Sequence, residues 1–266
     1  MNEFSYHRPS TLSEAVALLE GSEDAKALAG GQSFLPVVKL GLAQPSDVVD
    51  LKGIAELRGI SREGDRLVVG AATRHVEVNT SADVKGVIPA LADLAGNIGD
   101  AQVRNRGTLG GALAHADPRA DYPAAVMALD GIITTNDRDI EAGEFWHGLF
   151  MTELEEEEII KRVSFRIPQK AAYAKFPHPA SKYAIVGVFV AQFANGDVRV
   201  AVTGAGDAAM RVADAEAALQ GNFSASALDG LSVDPSGLQS DADFSAEYRA
   251  HMIKVMAKRA VNAANG

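Results

Sequence analysis

The chain has 266 residues, comfortable for two domains or for one bilobed domain with an appendage. Hydrophobic residues make up 47% and charged residues 23%, an ordinary globular balance that excludes wholesale disorder. Lys and Arg number 25 against 35 Asp and Glu, and a net charge of −10 repels phosphate backbones and argues against a nucleic-acid partner. The chain has no cysteine, which excludes disulfides, thiolate metal sites, a cysteine nucleophile and any cysteine-ligated iron–sulfur cluster.

The spacing of Thr11 and Glu14 predicts a capping box, and Ala15, Val16, Leu18 and Leu19 an apolar face, so a helix is expected over 9–20. Ala25–Ala29 reads as a short strand ending in Gly30-Gly31. Ser33–Leu40 reads as a helix with Pro36 in its first turn and Gly41 past its end. Val48, Val49 and Leu51 suggest another strand. A second stretch carries strand signals at Leu67–Ala71, Gln102–Arg106, Ile132–Thr135 and Val163–Ile167, and helix signals at Ile88–Ala95 and Tyr122–Leu129. The acidic run Glu155–Glu158 is expected on a solvated surface. In the third stretch Tyr183–Phe193 is a long apolar strand, Asn195-Gly196 a hairpin turn and Val198–Thr203 the returning strand. Helices are expected at Ala213–Leu219 and from Ala246 towards Val261, with 221–243 irregular. No run reaches the roughly 18 apolar residues that span a bilayer. The opening MNEFSYHRPS has no apolar leader core. These readings predict a cytoplasmic chain, with any membrane association left to its partners.

Two stretches could carry chemistry. In AGGQS (Ala29–Ser33) a strand runs into Gly-Gly, then Ser, then a helix. Such a turn leaves N–H groups free and lets a phosphate approach the backbone. It is neither a Walker loop nor GxGxxG. In RNRGTLGGALAHADPRADYP (Arg104–Pro123), Gly110-Gly111 again follows an expected strand, with Thr108 as a hydroxyl donor and His115, Asp117 and Asp121 nearby. Taken alone, a Gly-Gly turn serves equally as a tight turn and an Asp as a helix cap. The pair, about eighty residues apart, could hold two sides of one pyrophosphate without a strongly basic site.

AGGQS and TLGGALAHADPRAD resemble the two FAD signatures of the medium, flavin-binding subunit of the molybdenum hydroxylases, a family that includes the medium subunit of aerobic carbon monoxide dehydrogenase and the FAD subunit of xanthine dehydrogenase. The opening FSYHRPSTLSEAVALL and the segment HPASKYAIVGV (His178–Val188) extend the resemblance over nearly the whole chain. It implies an α/β (α+β) fold of the vanillyl-alcohol-oxidase type, with FAD-binding subdomains at 1–53 and 54–168 and a C-terminal domain at 169–266. By position, Ala29, Gly30, Gly31, Gln32 and Ser33 match the first pyrophosphate loop. Thr108, Leu109, Gly110, Gly111 and Ala112 match the second. Asp121 matches an acidic residue at the adenosine end, Ile160 an apolar residue whose backbone lies near FAD, and Tyr183 an aromatic residue near the isoalloxazine ring. Gln32 and Leu109 are mild departures. Ala112 stands where many relatives have Asn or Ser, which removes a polar contact.

The resemblance further implies a small subunit with [2Fe–2S] clusters and a large molybdopterin subunit, in a dimer of heterotrimers. This chain would then pass electrons from the clusters to an external acceptor. No catalytic residue and no metal ligand is assigned to it. A stand-alone FAD-dependent oxidoreductase and a nucleotide-binding module without redox turnover are the competing readings. The six histidines show no paired-base pattern that would favour the former.

Overall fold

The computed structural model describes residues 3–266; Met1 and Asn2, with which the first unit and the opening segment begin, lie outside the described residues. Among the described residues, three larger sheets follow one another along the chain.

The first sheet holds β1 (Ser5–His7), β2 (Ala25–Leu28) and β3 (Asp47–Asp50), parallel and in the order β1-β3-β2. Parallel neighbours need crossovers, and α1 (Leu12–Glu20) and α2 (Phe34–Lys39) lie in them. α1 begins as its sequence predicts: Thr11 Oγ1 accepts the Glu14 N–H at 3.2 Å. The Glu14 carboxylate in turn accepts the Ser10 N–H at 2.8 Å. Leu12, Ala15 and Leu19, on one helical face, are buried.

The second sheet is antiparallel, with β4 (Ile60–Glu63), β5 (Arg66–Gly70), β6 (Ile132–Thr135) and β7 (Asp139–Glu141). A small hairpin, β8 (Trp146–Gly148) and β9 (Met151–Thr152), precedes its central strand, β10 (Ile160–Arg166), which lies between β5 and β6. Between β5 and β6 the chain forms α3 (His75–Thr80), α4 (Ala82–Val87), α5 (Pro89–Gly96), α6 (Ala101–Arg106), α7 (Leu109–His115) and α8 (Tyr122–Ala128); α9 (Ala142–Phe145) follows β7. Leu67, Val69, Leu91, Leu94, Val163 and Phe165 meet in its core.

The strand expected at Gln102–Arg106 is α6 instead. Asp100 caps it by accepting the Val103 N–H at 2.9 Å, and none of its residues is buried. Val103 between polar neighbours imitates strand alternation, but an Asp three residues earlier is a helix start. The second glycine pair accordingly follows a helix. Thr108 caps α7, and Gly110 and Gly111 form its first turn.

The third sheet runs β11 (Lys170–Pro177), β12 (Ala184–Gln192), β13 (Val198–Thr203), β14 (Met210–Arg211), all antiparallel. Its helices are α10 (Ala213–Gln220) and α11 (Ala246–Ala264). β12 is apolar up to its last residue, Gln192, because both faces are covered. Phe189 and Ala191 join the core of the second sheet, while Val186, Val188 and Val190 pack towards α11. This shared core seats the third sheet against α8 and brings the loop 178–183 towards the glycine turns.

Candidate functional site

The two glycine turns touch. A Cβ on Gly30 would meet the Arg106 carbonyl and lie 2.7 Å from Gly107 Cα. Gly31 has φ +73°, a backbone that β-carbon residues rarely adopt. A Cβ on Gly111 would lie 3.5 Å from the Ala29 methyl. Together the turns wall a cavity of about 500 Å³.

The turns present different chemistry. The N–H groups of Gly30, Gly31, Gln32 and Ser33 have no hydrogen-bond acceptor among the described residues. Ser33 sits at the start of α2 without capping it through its side chain. The second turn, expected to offer free N–H groups as well, spends them internally. Leu109 N–H bonds Thr73 O at 3.1 Å, and Gly110 N–H bonds Ala71 O at 2.8 Å. Gly111 N–H meets Thr108 Oγ1 at 3.3 Å. Gly110 is glycine because a Cβ would lie 2.5 Å from the Ala71 methyl. The second turn thus supplies shape and the first supplies donors.

Of the thirteen residues singled out in the sequence, Ala29, Gly30, Gly31, Gln32, Ser33, Thr108, Gly110, Gly111, Ala112, Asp121, Ile160 and Tyr183 line the cavity. Leu109 does not line it. Its side chain is fully buried in the core below. Ile160 opens β10 beside a register shift, is part of the core of the second sheet and lines the cavity. Tyr183 ends a tight loop in which His178 N–H bonds Tyr183 O at 2.8 Å and Lys182 has φ +64°. It remains 39% exposed, outside β12, so it is not the core residue a strand-leading tyrosine usually is. Burial raises its phenol pKa, and a hydrogen bond with the Ser33 side chain opposes the shift.

Asp121 is fully committed. Its Oδ1 accepts the Tyr173 hydroxyl at 2.6 Å and its Oδ2 the Lys175 ammonium at 2.9 Å. Burial pushes its carboxyl up, and Lys175 and Tyr173 oppose that shift. The Glu run divides. Glu155, Glu156 and Glu157 are exposed as expected. Glu158 lines the cavity, its side chain only 4% exposed. Burial raises its carboxyl, but hydrogen bonds from Arg138 and Thr135 outweigh that and the net shift is downward. His115 packs against Phe150, and burial lowers its imidazole, opposed by Asp117.

The wall also includes His75, Ile98, Gly99 and Val103, which no local motif marks, and Tyr122, which lies in the second motif stretch without being singled out there. They come from α3, from α8 and from the segment around α6 that reads as a strand.

A cavity built on a donor-bearing glycine turn, with an aromatic residue at its rim and a mixed sheet-and-helix frame, defines a nucleotide-cofactor-binding protein. The chain belongs to the FAD-binding family of the molybdopterin dehydrogenases. Residues 2–170 match the model described as the FAD binding domain in molybdopterin dehydrogenase, and residues 171–264 match the CO dehydrogenase flavoprotein C-terminal domain. The carbon monoxide dehydrogenase medium chain of Hydrogenophaga pseudoflava is 37% identical over 98% of this chain and 96% of its own length. The nicotine 6-hydroxylase medium subunit of Paenarthrobacter nicotinovorans is 35% identical over 96% of this chain and 95% of its own. Among solved structures, a carbon monoxide dehydrogenase chain from Hydrogenophaga pseudoflava superposes with a TM-score of 0.90 over 99% of this chain and 97% of its own, at 37% identity. The mixed fold expected from the motifs is the fold of these medium chains. The chain is an oxidoreductase subunit and its cofactor is FAD.

Proposed function

We propose that this chain is the electron-transfer subunit of a carbon monoxide dehydrogenase-like molybdenum hydroxylase. It would receive electrons from [2Fe–2S] clusters of a small subunit and deliver them to an external acceptor. The observation that carries the reading is the row of unpaired N–H groups at Gly30–Ser33 facing a glycine-walled cavity. That row fits a pyrophosphate, which brings acceptor oxygens and negative charge without a basic cluster. Gly110 and Gly111 would let it lie close to the backbone, and Thr108 would hold their turn. Ile160 would border the cofactor, and Tyr183 would shield the ring end beside Ser33. Bound there, FAD supplies a junction between one-electron carriers and a two-electron acceptor.

The three sheets support a division into units 1–53, 54–168 and 169–266, with the cofactor between the first two. A chain with no cysteine cannot hold a thiolate-ligated cluster. Any such cluster then sits on another chain, and by the family resemblance the clusters are assigned to a small partner and the molybdopterin to a large one, in a dimer of heterotrimers. Among the described residues, no helix is long and apolar enough to cross a membrane.

Purified alone, the chain should be yellow and release all its FAD on acid precipitation. It should not oxidise the substrate of the complex until both partners are added. Full turnover by the chain alone, in a preparation free of iron and molybdenum, would replace this reading with the stand-alone oxidoreductase. Tyr183→Ala should shift the flavin absorbance or potential while changing stability by less than about 1 kcal/mol, as for an exposed site. A large drop in melting temperature with an unchanged flavin spectrum would return Tyr183 to a packing role.

A further inference from the structure

The loop 178–183 joins β11 to β12, and its last three residues, Ser181, Lys182 and Tyr183, line the cavity while remaining exposed. An exposed loop has no core to fix it, so its shape comes from its own hydrogen bonds. Every N–H that this loop carries is spent inside it. His178 N–H bonds Tyr183 O at 2.8 Å, and Lys182 N–H bonds His178 O at 3.0 Å. The Ala180 and Ser181 N–H groups both go to His178 Nδ1, at 3.2 and 3.3 Å. Tyr183 N–H meets Ser181 Oγ at 3.4 Å, and Pro179 has no N–H to give. All but the last of these bonds run through His178.

The sequence prepares His178 for this. Pro177 and Pro179 stand on either side of it, and a residue before proline is restricted to extended backbone. Nδ1 accepts the two N–H groups with its lone pair, so the ring proton sits on Nε2. The frame holds one strained residue. Lys182 has φ +64°, a backbone that β-carbon residues rarely adopt. Such strain persists only where the surroundings over-determine it, and it collects where geometry serves a site. The Lys182 ammonium turns back to Pro179 O at 2.9 Å. The side chain that the loop delivers is Tyr183, which shares a hydrogen bond with the Ser33 side chain. His178 itself does not line the cavity.

We propose that His178 is a positioning residue: by accepting the Ala180 and Ser181 N–H groups at Nδ1 it sets Tyr183 against the flavin ring without touching the cofactor. Removing Nδ1 leaves those two N–H groups without an acceptor in the loop. Lys182 is then free to leave its left-handed backbone, and that rotation carries the next residue, Tyr183, away from Ser33. The proposal rests on the FAD reading above, which puts the ring end at Tyr183.

The test uses the full chain, each variant reconstituted with excess FAD. His178→Ala should shift the flavin absorbance or potential in the same direction as Tyr183→Ala. Its flavin-free melting temperature should stay that of the unmodified chain, as for an exposed loop. His178→Asn should restore the unmodified spectrum, because the Asn Oδ1 can accept the N–H groups two and three residues on. In a Tyr183→Ala background, His178→Ala should add no further shift, the non-additivity of two residues that act as one. An unchanged flavin in His178→Ala, with Tyr183→Ala shifted, overturns this proposal alone. A fall in melting temperature beside that unchanged flavin gives His178 a purely structural role. A His178→Asn chain that matches His178→Ala also overturns it, since the acceptor at Nδ1 would then not matter. So does a second full shift in the double variant, which would have His178 act on the flavin by a route other than Tyr183. No shift in Tyr183→Ala itself defeats the placing of the ring, and this proposal with it. An unmodified chain that takes up no FAD defeats the FAD reading itself, a result distinct from the others.

Discussion

Gly111→Val is expected to strip FAD from the chain while leaving the chain folded. The φ at Gly111 is not in the left-handed region, so the effect does not come from backbone strain. It comes from space. A Cβ there lies 2.9 Å from Thr108 Oγ1 and 3.5 Å from the Ala29 methyl, and a branched side chain would wedge between the two turns. It would displace the Thr108 hydroxyl that caps α7 and crowd the backbone against which a pyrophosphate must lie. The space taken from the pyrophosphate should weaken binding by about 3 kcal/mol, a rise in FAD Kd of roughly 100-fold. Gly30 would be the wrong choice for this test, since a side chain there collides with backbone at Arg106 and Gly107 and threatens the fold itself. Gly86→Val is the control. Gly86 lies on α4, not in a turn, and a Cβ there has nothing within 4 Å. The flavin-to-protein absorbance ratio, with a thermal melt of each variant, is the measurement. Equal flavin content in the two variants would remove the pyrophosphate from the second glycine turn.

What was legible in the chain was what depends on neighbours in sequence. The Thr11–Glu14 pair places α1 because a cap is a local hydrogen bond. β12 is legible because burial on both faces leaves no polar alternation to confuse. The first glycine turn is legible for the same reason: its donors are free because the turn itself leaves them so. The bonding of the second turn is not legible, because the Leu109 and Gly110 N–H groups go to Thr73 and Ala71, more than thirty residues earlier in the chain. The Leu109 side chain likewise drops into a core that other segments build. Glu158 departs from a solvated acidic run because Arg138 and Thr135, from across the sheet, receive it. His75 carries no local signal, and Tyr122 is marked only by lying in the second motif stretch. That they share a cavity wall follows only from how α3 and α8 pack.

Lys175→Met should destabilise the chain strongly. The Lys175 and Asp121 side chains are 7% and 5% exposed and lie 2.9 Å apart. Lys175 also donates to Asn97 O at 3.2 Å, so one ammonium ties β11 to Asp121 and to the end of α5. Methionine keeps most of the volume and removes the charge, leaving a buried carboxylate with only the Tyr173 hydroxyl. Breaking a buried pair in this way costs about 3–5 kcal/mol, a drop of roughly 10 °C in melting temperature for a chain of this size. The loss should depend on pH in a definite direction. Burial already raises the Asp121 carboxyl, and Lys175 is the first influence opposing it, so its removal raises that carboxyl further. A folded-state pKa above the unfolded one means stability present at low pH and lost as pH rises through the folded value. The gap between Lys175→Met and the unmodified chain should therefore be wider at pH 8 than at pH 5. Adding Asp121→Asn to Lys175→Met should recover most of the loss at pH 8, since no charge is then left buried. Chemical denaturation at the two pH values measures this directly. An equal gap at both, with no recovery in the double variant, would mean that Lys175 stabilises through its packing and its bond to Asn97 rather than through the charge of Asp121.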